Sequence, residues 1–167
     1  MISTYKYKKI TWLDLENPTI EEVRKIIDKY NIDPNVGNEL LSPSTKPYIN
    51  FHDQYIYLIL QFPTPDSHKN QNGSIEEVDF IIGTNYIITA RYNVVDAVLK
   101  FAKNFEVNSV LEKNNLGEHS GHIFFHMIIN LYKSLLDQIE NIKNQIEIIE
   151  DGVFSAKEAK MVLEISK

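Results

Sequence analysis

Apolar and polar positions alternate along Lys8–Leu15, "KKITWLDL". Ile10, Trp12 and Asp14 fall on one side and Thr11, Leu13 and Leu15 on the other, which predicts a short strand. "ENPT" stops it. Thr19 and Glu22 then have the spacing of a capping box, in which each side chain accepts from a backbone N–H that the first helical turn leaves orphaned. The helix that follows is predicted to reach about Tyr30, with Val23, Ile26, Ile27 and Tyr30 on one buried stripe. Asp33-Pro34 opens a second, shorter helix that ends before Ser42-Pro43. Pro is tolerated in the first turn because its missing N–H has no helical partner there.

From Pro47 the period changes to two. "PYINFHDQYIYLILQF" predicts two antiparallel strands turning at Asp53-Gln54. Pro63–Ser74, with Pro, Gly, Asn and Ser and no periodicity, reads as an exposed loop. A second hairpin follows over Ile75–Arg91, "IEEVDFIIGTNYIITAR", with Gly83-Thr84-Asn85 at its turn. Val94–Phe105 reads as a helix with Val95, Val98, Leu99 and Ala102 on one side. Strands and helices in this order imply both hairpin and crossover connections, hence an α/β chain with a mixed sheet.

The last third is of another kind. From Ser120, read as the N-cap, apolar residues recur at Ile128, Leu131, Leu135, Ile139, Ile142, Ile146, Ile149 and Val153, in steps of three and four. Flanked by Glu140, Lys143, Glu147 and Glu150, this near-heptad run predicts a helix whose seam packs against other helices. At about 1.5 Å per residue, Ser120–Asp151 would be roughly 50 Å long and should project from its domain. Helical composition continues through "VFSAKEAKMVLEISK" to Lys167 with no capping signal, so the helix is expected to run on in a longer chain. The predicted organisation is an α/β unit over 1–118 and a stalk helix over 119–167.

Composition narrows the chemistry. The 167 residues carry a net charge of −6, the wrong sign for coating phosphates, so no nucleic-acid partner is expected. The absence of Cys excludes a disulfide framework, thiolate catalysis and cysteine-ligated metals. No apolar core of signal-peptide type follows the basic N-terminus, and the longest strongly apolar run, Tyr55–Leu60, is far too short to cross a bilayer. The polypeptide as given is expected to be soluble.

Candidate sites are few. His119, His122 and His126 would fall within an arc of roughly 60° on an ideal helix, a zinc-compatible spacing. The helix start leaves His119 outside, however, and no carboxylate stands by to orient an imidazole, so core or surface histidines are the better reading. No phosphate loop, nucleophile elbow or His-Glu-x-x-His occurs, so no enzyme is expected. Asp14 with Glu16, and Glu76 with Glu77 and Asp79, could serve acid/base chemistry but read more simply as solvated strand ends. Tyr48, Phe51, Tyr55 and Tyr57, lacking flanking Lys and Arg, read as sheet packing rather than base stacking. Glu39, in "NELL", reads as an exposed helix carboxylate.

Four segments in order, "WLDLENPTIEEVRKIIDKYNIDP", "TKPYINFHDQYIYLILQFP", "EEVDFIIGTNYIITAR" and "QIEIIED", carry a resemblance. From about Lys8 to at least Asp151 the chain resembles the cytoplasmic N-terminal domain of the CorA family of magnesium and cobalt transporters, which includes zinc-transporting relatives. The resemblance implies an α/β/α sandwich with a mixed β-sheet, followed by a long C-terminal stalk helix. It implies a homopentameric funnel at the cytoplasmic face of the cell membrane, with the pore and its Gly-Met-Asn signature in segments not present here.

The family's regulatory site places acidic residues at the end of the second short helix, facing a neighbouring subunit around a divalent cation. Oxygen-only, partly hydrated sites of this sort suit Mg²⁺. Here the family's frequent acidic pair is Asn38-Glu39, so Glu39 is the one metal ligand the resemblance assigns. Ile129 falls where some relatives have a further carboxylate, and the remaining partner would lie beyond Lys167. Magnesium is the default ion, with cobalt or zinc as alternatives. Two competing functions are a free-standing coiled-coil adaptor and a zinc protein built on the three histidines.

Overall fold

The computed structural model describes residues 1–64, 74–111 and 116–154. Six strands form one mixed sheet: β1 (Ile2–Tyr7), β2 (Ile10–Glu16), β3 (Tyr48–Phe51), β4 (Tyr55–Thr64), β5 (Ser74–Gly83) and β6 (Tyr86–Arg91). Their order across the sheet is β1-β2-β6-β5-β4-β3. Only β2 and β6 pair in parallel, with Asp14 beside Thr89 and Glu16 beside Arg91, while the other neighbours are antiparallel. The two predicted hairpins are present with their predicted turns. The part of the predicted Pro63–Ser74 loop between Thr64 and Ser74 lies outside the described residues.

Among the described residues four helices flank the sheet: α1 (Ile20–Tyr30), α2 (Pro34–Glu39), α3 (Asp96–Val110) and α4 (Ser120–Phe154). The Thr19–Glu22 capping box forms, and Asn31 closes α1 in the left-handed conformation that Asn tolerates well. Val23 and Ile26 of α1 and Val36 and Leu40 around α2 pack on Leu13, Leu15, Tyr57, Ile59, Ile81 and Ile88, which line one sheet face. On the opposite face α3 and the start of α4 cover Trp12, Val78, Phe80 and Ile87 with Val98, Phe101, Phe105, Ile123, Met127 and Leu131. Alternating side chains along the inner strands β2, β6, β5 and β4 thus fill two cores, and the architecture is the expected α/β/α sandwich.

The predicted N-cap of α4 is corrected. Ser120 is the first helical residue, and its buried hydroxyl donates to the Gly83 carbonyl, clamping α4 onto the β5–β6 turn. His119 does the capping, its Nδ1 accepting from the Gly121 N–H at 3.0 Å. Past Leu131 the apolar seam of α4 loses its cover: Ile139, Ile142 and Ile146 are 61%, 55% and 50% exposed. The predicted continuation from 155 to 167 lies outside the described residues.

Candidate functional site

Asp33 and Pro34 fix where α2 begins. The Asp33 side chain accepts from the Asn35 N–H at 2.8 Å, and Pro34 occupies the first turn. Six residues on, α2 ends at Glu39, because Leu40 turns inward to the core and Pro43 cannot continue a helix. The chain then crosses the sheet end through Ser42, Pro43 and Ser44 to reach β3. Asn35, Asn38, Glu39, Ser42, Pro43 and Ser44 line an open recess of about 350 Å³. Glu39 is exposed at its rim. The polar groups offered here are one carboxylate, two amides and two hydroxyls, a donor set that suits a hydrated hard cation better than zinc.

Below this loop the sheet carries a buried polar network. Ser44 N–H donates to Glu77 Oε1 at 2.8 Å, and Gln61 Nε2 donates to Glu77 Oε2 at 3.1 Å and to the Ser44 carbonyl at 3.0 Å. Tyr57 and Tyr92 hydroxyls each lie 3.2 Å from Asp79 Oδ2, and the Tyr92 hydroxyl also lies 3.2 Å from the Glu39 carbonyl. Burial and then the charge of Glu77 push the Asp79 carboxyl up to about 8. Burial likewise raises the Tyr57 and Tyr92 hydroxyls, with Asp79 adding to the effect.

A second network sits on the other face. Trp12 Nε1 donates to Thr89 Oγ1 at 3.0 Å, Thr89 donates to Asp14 Oδ1 at 2.7 Å, and Arg91 Nε donates to Asp14 Oδ2 at 3.2 Å. Arg91 also reaches Glu16 at 3.1 Å. The reading of Asp14, Glu77 and Asp79 as solvated strand ends is therefore overturned: all three are buried. Glu76, only half-buried, accepts from the Asn93 amide at 2.8 Å.

The three histidines are not assembled into a site. His119 is committed to the cap, His122 is exposed, and His126 is half-buried beside Phe125. Among the described residues no group of three or more His, Asp or Glu is placed to hold a metal ion. Of the four aromatic residues read as sheet packing, Tyr55 and Tyr57 are buried, whereas Tyr48 and Phe51 on the edge strand β3 are 50% and 71% exposed. Among the described residues no helix is long and apolar enough to cross a membrane.

A mixed sheet with helices on both faces and one long helix running off it defines the class: an α/β/α domain with a stalk. The chain belongs to the family of CorA-like Mg²⁺ transporter proteins, whose model matches residues 7–167. It is 19% identical over 153 residues to the cobalt/magnesium transport protein CorA of Thermotoga maritima. The match covers 91% of this chain and 42% of that protein. Its fold is similar to that of the complete CorA magnesium transporter from Methanocaldococcus jannaschii, with a TM-score of 0.74 and 15% identity over 94% of this chain and 48% of the other. It is similar also to the ZntB cytoplasmic domain from Vibrio parahaemolyticus, with a TM-score of 0.65 and 12% identity over 84% of this chain and 55% of the other.

Proposed function

We propose that this chain is the cytoplasmic regulatory and oligomerising part of a CorA-type transporter of divalent cations. In this reading it works as a homopentamer, with residues 1–118 sensing the cytoplasmic ion and 119–167 carrying the signal along the stalk. No catalytic step is assigned to it. The observation that carries the reading is the apolar stripe of Ile139, Ile142 and Ile146 left open along α4. Such a stripe at helical spacing is covered most simply by copies of the same helix. Family membership over nearly the whole chain supports the same conclusion.

Glu39 is proposed as this chain's ligand in a regulatory Mg²⁺ site at the subunit boundary. Without a cation, carboxylates meeting there repel; a bound Mg²⁺ offsets the repulsion and holds the closed, symmetric arrangement. The exposed position of Glu39 on an oxygen-lined recess supports this role. The test is uptake of Mg²⁺, Co²⁺ and Zn²⁺ by vesicles holding the complete gene product, with interior Mg²⁺ varied. Flux is expected to fall as interior Mg²⁺ rises, and Glu39→Ala to weaken that suppression several-fold. Suppression untouched by the substitution removes Glu39 from the site, and no flux of any of the three ions refutes the transporter reading.

A further inference from the structure

Glu77 and Asp79 stand two residues apart on β5 and project from the same sheet face, beneath the loop that follows Glu39. Both Glu77 oxygens accept from N–H donors, and Asp79 Oδ2 faces two hydroxyls. Asp79 Oδ1 is buried and meets no donor among the described residues. An ionised carboxylate with one oxygen so placed is costly. A protonated one is not, because that oxygen then becomes a donor, and Glu77 is the acceptor within reach. Among the described residues, the titratable groups facing Asp79 are Glu77 on its own strand, Tyr57 from β4, and Tyr92 after β6. Glu39 acts on both tyrosines from α2. None of these is cationic. Arg91 is spent on the opposite face, on Asp14 and Glu16.

We propose that Asp79 and Glu77 share one proton, held on Asp79 Oδ1 and directed at Glu77, and that this proton latches the Leu40–Ser44 loop to the sheet. With the proton in place, Glu77 is the only full charge of the pair and keeps its bond to the Ser44 N–H. The Tyr92 hydroxyl, which has one hydrogen, is free to serve the Glu39 carbonyl. When the proton leaves, two anions face each other in a low-dielectric interior. Asp79 Oδ2 becomes the stronger acceptor and draws the Tyr92 hydrogen away from Glu39, so the end of α2 loses its tie to the sheet. The loop beside the recess would thereby respond to cytoplasmic pH. The inference does not require Glu39 to hold a cation.

The sign follows from linkage. Asp79's folded value, pushed up to about 8, lies above its unfolded value near 3.9. Its contribution to stability is therefore whole below about pH 4, drains away as pH rises, and levels off above about 8. Asp79→Asn keeps a donor toward Glu77 and cannot ionise, so its stability relative to the parent should rise through that window and then stay level.

The experiment is carboxyl-carbon NMR of the full 167-residue chain between pH 5 and 9.5 with chelator present. Asp79 should be protonated at pH 6 and ionise near pH 8, and the backbone amide signals of Leu40–Ser44 should move with the same midpoint. In Asp79→Asn that movement should vanish. If the variant does not fold, Glu77→Gln serves instead: removing the facing charge should lower the Asp79 midpoint. An Asp79 already ionised at pH 6, loop amides that stay still while it titrates, or a midpoint unmoved by Glu77→Gln would each overturn the proposal.

Discussion

Arg91 shows most clearly how one side chain joins distant parts of this molecule. Its guanidinium is almost fully buried, pairs with the equally buried Asp14, and reaches the half-exposed Glu16. Removing one partner of such a pair leaves a charge without compensation in the interior. Arg91→Met should therefore cost about 3–5 kcal/mol of unfolding free energy in urea titrations at pH 7. A loss below about 1 kcal/mol would show that water reaches Asp14 in the folded protein. The strand acids differ from their expected solvated state at this scale for a physical reason. Thr89 and Arg91 lie 75 and 77 residues from Asp14, and Tyr57 and Tyr92 lie 22 and 13 from Asp79. A local pattern of acidic residues in a strand looks the same whether its partners are water or residues brought by the fold. Glu39, by contrast, is the exposed helix carboxylate that its setting in "NELL" predicts, and only the recess beside it is not legible from spacing.

At the scale of elements, strong periodicity was legible and weak periodicity was not. The capping box, both central hairpins and the long helix follow from spacing alone. The strand β1 does not: "ISTYKY" has only three large apolar or aromatic residues, and its Lys8-Lys9 turn lacks the Gly, Asn or Asp that marks a hairpin. It is held instead by pairing with β2 and by Tyr5 stacking on Trp12 at 4.5 Å. The helix α4 changes role along its length, which its repeat does not announce. Ile123 is fully buried against the sheet, whereas Ile142 is 55% exposed. Ile123→Ala should cost about 2–5 kcal/mol, while Ile142→Ala should stay within about 0.5 kcal/mol when the chain is dilute. Denaturant titrations of both variants at micromolar concentration check this. Equal losses would mean that the stripe is covered in solution even there.

Taken whole, the molecule is a sandwich that needs only the first turns of its long helix. Among the described residues Leu131 is the last of α4 in the sandwich core, so a chain ended after Ser134 should still unfold in one cooperative transition. Its thermal midpoint should lie within a few degrees of the parent's, and a scan by circular dichroism decides the matter. Loss of the cooperative transition would show that the exposed half of α4 contributes to the stability of the sandwich.

The single parallel pairing also sets an order in time. Glu16 and Arg91, its outer pair, are 75 residues apart, and β2 has no neighbour on its inner edge until β6 arrives. At about 5 to 20 residues per second of synthesis, that edge waits roughly 4 to 15 s on the ribosome. During that interval the nascent chain presents Leu13, Leu15 and an unpaired ladder to its surroundings. A holding factor that protects this protein from mispairing would have to act then, before the second hairpin emerges.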